Sequence, residues 1–211
     1  MDIRELDRRA VQASVDIVAE VRPGDLARPT PCAGWTLGGL LAHMTAQHLG
    51  FAAAAEGRGA DLDVWRERSA PDPVWAYAAA AERVTAAFAV EGVLDRGFVL
   101  PEVGVDAPFP AVQAIGFHFI DYLVHGWDVA RALGIAYDPA PDLAEAAWPI
   151  ALAVPDGDYR ERPGAAFAPS VPAAPGASRF DRILARLGRT PAPAPAPASA
   201  HGHDHGSSRP Q

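Results

Sequence analysis

Four side chains that can carry protons or ligate metals recur within one stretch of the chain: His118, Asp121, His125 and Asp128. Successive residues of an α-helix advance by about 100°, so these four fall within an arc of roughly 80° and share one face. Their neighbours Phe117, Phe119, Ile120, Leu123 and Val124 mark the helix as heavily buried, and a buried polar stripe needs partners. Asp121 and His125, one turn apart, can present a carboxylate oxygen and an imidazole nitrogen to the same ion. A third ligand must come from another helix. His43 is the best supplier, because it lies mid-helix, one turn after Gly39 and Leu40, in a segment whose apolar residues turn it toward the core. Two imidazoles and one carboxylate leave a coordination position open, as reactive sites do and structural clamps do not.

A second reading fits the same spacing. His43 and His125 can be hydrogen-bonded core histidines, with Asp121 and Asp128 fixing them or pairing with Arg131. His118 is read as a pocket wall or a support behind the ligands, or else as a fourth ligand. Asp128 is read as the group that orients an imidazole, against an ion pair on the helix surface. His48, about 140° round its helix from His43, is expected at the surface or the rim of a pocket. Cys32 precedes a helix N-terminus, where a thiolate is favoured, though a small buried hydrophobe is the commoner fate of a single cysteine. Trp35 and Trp127 are expected as core aromatics. His201, His203 and His205, with Asp204, can chelate metal loosely, but a flexible cluster gives catalysis no fixed geometry. The chain has no Gly-rich phosphate loop, Gly-x-Ser-x-Gly elbow or Cys-x-x-Cys pair.

The elements that must position these groups are helical. Ile3, Leu6, Val11, Val15 and Val18 define a first amphipathic helix from Ile3 to Val21, ended by Pro23-Gly24. Thr36 can cap a second helix that carries Leu37, Leu40, Leu41, Met44 and Leu49, with His43 at its middle. Pro71-Asp72-Pro73 opens a third, Ala-rich helix to about Val90. Phe98 to Phe109 reads as a loop, and Pro110 to Leu133 runs as a fourth helix ended by Gly134. A shorter helix over Leu143 to Val154 and a last one over Phe180 to Leu187, opened by a Ser178/Asp181 capping box, complete the ordered chain. The expectation is all-α: a four-helix bundle with short additional C-terminal helices. Residues 1–190 form a single metal-binding domain in this reading, and residues 191–211 form a disordered Pro/Ala- and His-rich tail.

Composition narrows the function. A chain of 211 residues, 49% of them apolar, can bury one good core. Every basic residue is Arg, and a formal charge of -8 repels phosphate backbones, which argues against nucleic acid as a partner. No stretch approaches the roughly 18 apolar residues of a membrane span. A lone cysteine excludes an intrachain disulfide, and the amphipathic N-terminus does not read as a secretory signal. A cytoplasmic protein, monomer or homodimer, acting on a small molecule and using neither nucleic acid nor membrane, is the resulting expectation.

Two segments, Thr30-Pro-Cys-Ala-Gly-Trp-Thr36 running into Leu40-Leu-Ala-His43, and Asp121-Tyr-Leu-Val-His-Gly-Trp-Asp-Val-Ala-Arg-Ala132, resemble the mycothiol-dependent maleylpyruvate isomerase and DinB-like metal-binding superfamily. The likeness is to an uncharacterised actinobacterial branch, whose chains also finish with Phe-x-Pro and Gly-Arg-x-Pro, here Phe167-Ala-Pro169 and Gly188-Arg-Thr-Pro191. The resemblance implies a DinB-like four-helix bundle. It also implies a zinc-like or nickel-like ion held by one His on the second helix and an acidic-x-x-x-His pair on the fourth, positions that match His43, Asp121 and His125. The characterised isomerase has Glu where this chain has Asp121, so isomerase activity does not carry over automatically.

The leading functional expectation is a thiol-dependent S-transferase or isomerase. In it one divalent metal, zinc or else nickel, activates mycothiol or another low-molecular-weight thiol as a cosubstrate. A metal-dependent hydrolase, dehydratase or cyclase without a thiol is the second, and a non-catalytic metal- or ligand-binding module the third. Two imidazoles and one carboxylate also suit iron and manganese.

Overall fold

The computed structural model describes residues 1–191 except 33, 162–164 and 166, with backbone only at residues 105, 106 and 159. Six α-helices stand among them: α1 (Ile3–Val18), α2 (Leu37–Ala55), α3 (Pro73–Phe88), α4 (Ala111–Leu133), α5 (Pro141–Ala153) and α6 (Arg179–Arg186). The fold is all-α with a four-helix core, α1 to α4, as the periodicity predicts. All but one of the residues assigned to the Pro/Ala- and His-rich tail lie outside the described residues.

Local chemistry sets the helix ends. Asp2 accepts from the Arg4 amide at 2.9 Å, Thr36 from Gly39 at 3.2 Å and Asp72 from Trp75 at 3.0 Å, each satisfying an N–H that the helix leaves unpaired. Ser178 and Asp181 form the reciprocal capping box of α6. Gly134, at φ +74°, closes α4 in the left-handed conformation that glycine adopts without a side-chain clash.

The segment read as a loop is instead a two-stranded antiparallel sheet, β1 (Gly97–Leu100) and β2 (Gly104–Pro110), with Phe98 opposite Phe109. Its prolines obscured the pattern. They are tolerated because a two-stranded sheet leaves one edge of each strand free of ladder bonds. Phe98 and Leu100 are buried against Phe51, Phe88 and Ile115, so the hairpin plugs one end of the bundle.

Apolar burial is divided among three clusters. One lies between α2, α3, the hairpin and the start of α4; a second, with Leu40, Met44, Tyr77 and Tyr122, fills the centre of the bundle. The third joins α1 and α4 to α5 and α6 through Phe119, Leu123, Ala147, Ile183 and Leu184. This last cluster brings the C-terminal segment back against α4. Among the described residues no helix is long and apolar enough to cross a membrane.

Candidate metal centre

The polar stripe of α4 divides into two clusters. His118 and His125 are seven residues apart, almost two full turns, so they face the same way at different depths.

Toward the C-terminal half of α4, ligand atoms of His43, Asp121 and His125 lie within 4.8 Å of one another. His125 Nε2 stands 3.4 Å from Asp121 Oδ1, and the His43 and His125 ring centroids are 5.7 Å apart, edge to face. Each histidine is held from behind. His125 Nδ1 donates to Asp128 Oδ2 at 2.9 Å, and His43 Nδ1 donates to Glu67 Oε1 at 2.9 Å. A carboxylate bonded to one imidazole nitrogen fixes the ring and leaves the other nitrogen to meet a ligand. The Trp35 ring packs 4.4 Å from His43, centroid to centroid, and forms an apolar wall. His43 and Asp121 keep 18% and 25% of their side chains exposed, so the cluster is reachable from solvent, whereas the His125 side chain is 7% exposed.

Electrostatics follow from this packing. Burial by itself lowers the affinity of His125 for a proton, but the Asp121 charge and the hydrogen bonds to Asp128 and Cys32 outweigh it and push the imidazole up to about 10. Burial opposes the charge of Asp128 too. The His125 hydrogen bond and the Arg189 guanidinium override it and hold the carboxyl well below its usual range. Asp128 is therefore ionised and accepts. Its partner differs from the one the sequence suggests: Arg131 is exposed over the Trp127 ring, and Arg189 takes the Asp128 carboxylate at 2.9 Å.

Cys32, half-buried, adjoins the same carboxylate. Its thiol donates to Asp128 Oδ2 at 3.1 Å, accepts from Arg189 Nη2 at 3.3 Å and lies 3.9 Å from His125 Nδ1. No histidine is near it in sequence; the fold supplies one from α4.

His118 is not part of this centre. It is completely buried, donates from Nδ1 to Asp7 Oδ1 of α1 at 2.6 Å, and meets His48 Nδ1 of α2 through Nε2 at 3.1 Å. A pocket-wall or supporting position behind the ligands does not match this placement. His48 is likewise not at a surface or rim: it is fully buried and stacked on Tyr122 at 3.8 Å. Its rotation away from His43 carries it to a second buried face, because α2 is covered along nearly its whole circumference. Burial pushes the Asp7 carboxyl up and the His48 imidazole well down.

Residues 8–130 match the family described as the mycothiol maleylpyruvate isomerase N-terminal domain. The chain belongs to that family. Among its relatives are uncharacterised proteins from two strains of Mycobacterium tuberculosis, each 32% identical over 190 residues that cover 90% of this chain and 99% of the relative. No solved structure matches it significantly. The stretch matched to the mycothiol maleylpyruvate isomerase N-terminal domain family contains Cys32, His43, Glu67, Asp121, His125 and Asp128, and it stops well short of Arg189.

Two groups escaped the sequence reading. Glu67 sits in a polar stretch with no pattern to single it out, and only the fold carries it to His43. Arg189 stands in the Gly-Arg-x-Pro ending, a visible signal whose target could not be read from its position in the chain.

Proposed function

We propose that this member of the family is a divalent-metal-dependent enzyme that uses a low-molecular-weight thiol, mycothiol, either to form a thioether conjugate with an electrophilic small molecule or to isomerise that molecule through a transient adduct. The observation that carries this reading is the convergence of two imidazoles and one carboxylate, His43, His125 and Asp121, on a single solvent-reachable point. That donor set suits zinc first and nickel second, and it leaves a coordination position for a further ligand. A bound divalent ion supplies stabilisation of a thiolate at neutral pH.

The chain's own side chains do the remaining work. Asp128 and Glu67 hold the two imidazoles by their Nδ1 atoms and so aim the opposite nitrogens. Trp35 excludes water from one side of the His43 ring and offers an apolar surface to the substrate. The sulfur anion forms a C–S bond to an electron-poor double bond while the π electrons move to its withdrawing group. Protonation there leaves a conjugate. Rotation followed by loss of the thiolate returns the isomerised double bond.

The test is elemental analysis of protein in which His201, His203 and His205 are replaced by Asn, purified without a metal-affinity column. About one ion per chain, and almost none in His125→Ala, supports the metal centre. A rate on electrophilic substrates that saturates with added thiol supports the thiol chemistry. Turnover indifferent to thiol would instead make the protein a metal-dependent hydrolase, dehydratase or cyclase.

A further inference from the structure

Among the described residues, two sets of side chains are close enough to share an ion: His43, Asp121 and His125, and also Cys32, His125 and Asp128. They meet at one histidine. The first set uses the side of the ring that faces Asp121, and the second uses Nδ1, the nitrogen already bonded to Asp128. By ligand type the second set is the more attractive to a thiophilic ion, because a thiolate is the softer and stronger donor. Something must therefore decide between them.

The second set already holds a cation. Arg189 Nη2 donates both to Asp128 Oδ2 at 2.9 Å and to Cys32 Sγ at 3.3 Å, and its Nε lies 3.5 Å from Asp128 Oδ1. Asp128 Oδ2 thus accepts from His125, Cys32 and Arg189 together, so a metal approaching that oxygen would have to displace hydrogen bonds already made. Arg189 is 7% exposed, is anchored by Nη1 to the Leu187 carbonyl at 2.9 Å, and lies over the Phe167 ring at 5.6 Å. The backbone is shaped to deliver it. Gly188 has φ +78°, and a Cβ there would come within 2.6 Å of the Ala168 carbonyl oxygen, so the turn that sends Arg189 inward requires glycine. A guanidinium stays charged at any pH a protein survives, so a divalent ion cannot enter the Cys32 side without facing it.

We propose that Arg189 is a resident cation that occupies the Cys32–Asp128 pair and thereby confines a divalent ion to His43, Asp121 and His125. This rests on the metal reading above and adds a selectivity-determining residue from beyond the part of the chain that matches the family. Arg189 is a positioning residue: it acts through Asp128 and Cys32, and it keeps the protein's own sulfur out of the coordination sphere so that the open position stays free for an exogenous one.

Cobalt(II) is the probe, because its thiolate complexes give an intense near-ultraviolet charge-transfer band that nitrogen and oxygen ligands lack. The protein is the full chain with His201, His203 and His205 replaced by Asn, titrated with cobalt alone. The parent should bind one equivalent with d–d absorption and no thiolate band. Arg189→Met, which keeps an apolar stem against Phe167 but removes the charge, should gain the band, and adding Cys32→Ser should abolish it. Arg189→Lys, the fallback should the Met variant not fold, should show the band at reduced intensity, since one ammonium cannot cover both groups. A thiolate band in the parent, or none in a folded Arg189→Met, overturns the proposal. If the parent binds no cobalt while Arg189→Met binds it with the band, the His43–Asp121–His125 reading fails and the role of Arg189 stands. If the parent binds without the band and the variant gains none, the reverse holds. If neither binds cobalt, both fail.

Discussion

His118 and His125 occupy the same stripe of α4, each carries a carboxylate on Nδ1 and each has a second histidine nearby, yet the two clusters differ in what they can do. Asp7, His118 and His48 are sealed among Phe51, Phe88, Tyr77 and Tyr122, with no exposed member. When Asp7 accepts from His118, the His118 Nε2 lone pair accepts from His48, and His48 Nε2 has no hydrogen-bond partner among the described residues. The chain of bonds ties α1, α4 and α2 together and ends in protein. In the His125 cluster the supporting carboxylate is held by an arginine, and the nitrogen opposite it faces Asp121 and His43 at the protein's surface. The same pair of groups, carboxylate and imidazole, braces helices where it is closed at both ends and prepares a ligand where one end is left open.

The sharpest way to separate the clusters is metal content. His125→Ala should reduce bound metal from about one ion per chain to almost none, whereas folded His118→Ala should retain it, as read by elemental analysis. Equal losses in both would merge the two clusters into one site.

Stability should rank them in the opposite order. His118→Ala removes the side-chain partner of a fully buried Asp7 and should cost about 3–5 kcal/mol in denaturant unfolding. Near pH 10, where the charge of His125 no longer contributes, metal-free His125→Ala should cost clearly less, because Asp128 keeps Arg189 and Cys32.

A finer effect is expected from the supports. Asp128→Asn should weaken metal binding by about 10–100-fold in a competitive chelator titration, while Asp7→Asn leaves it unchanged.

The clusters also differ in their response to pH. The folded, metal-free value for His125, raised to about 10 from 6.5, means that its contribution to stability is fully present below pH 6.5. It drains away as pH rises toward 10. Thermal melts of the metal-free protein across that interval should decline, and those of His125→Ala should lose this component. Metal binding at neutral pH should correspondingly release close to one proton, visible by calorimetry in buffers of different ionisation enthalpy.

Much of this was legible in the chain. The Asp72 and Ser178 caps, the Gly134 stop and the spacing of Leu37, Leu40, Leu41 and Met44 locate helices within a few residues of where they stand. The hairpin was hidden, because Pro108 and Pro110 break the alternation that marks a strand, and its pairing is a contact between segments. His48 was misplaced for a related reason. A helical wheel gives the angle between two residues but says nothing about how many sides of the helix other elements cover.

By itself, then, the sequence determined the helices, the common face of His118, Asp121, His125 and Asp128, and the donor types available to an ion, all of which depend on the local geometry of 3.6 residues per turn. Only the tertiary structure decided that His118 is sealed while His125 opens outward, that Glu67 stands behind His43, and that a residue 61 positions beyond Asp128 returns to hold it. Those outcomes depend on depth and on long-range packing, where the cost of burying a charge selects its partner from whatever the fold brings near, regardless of distance along the chain.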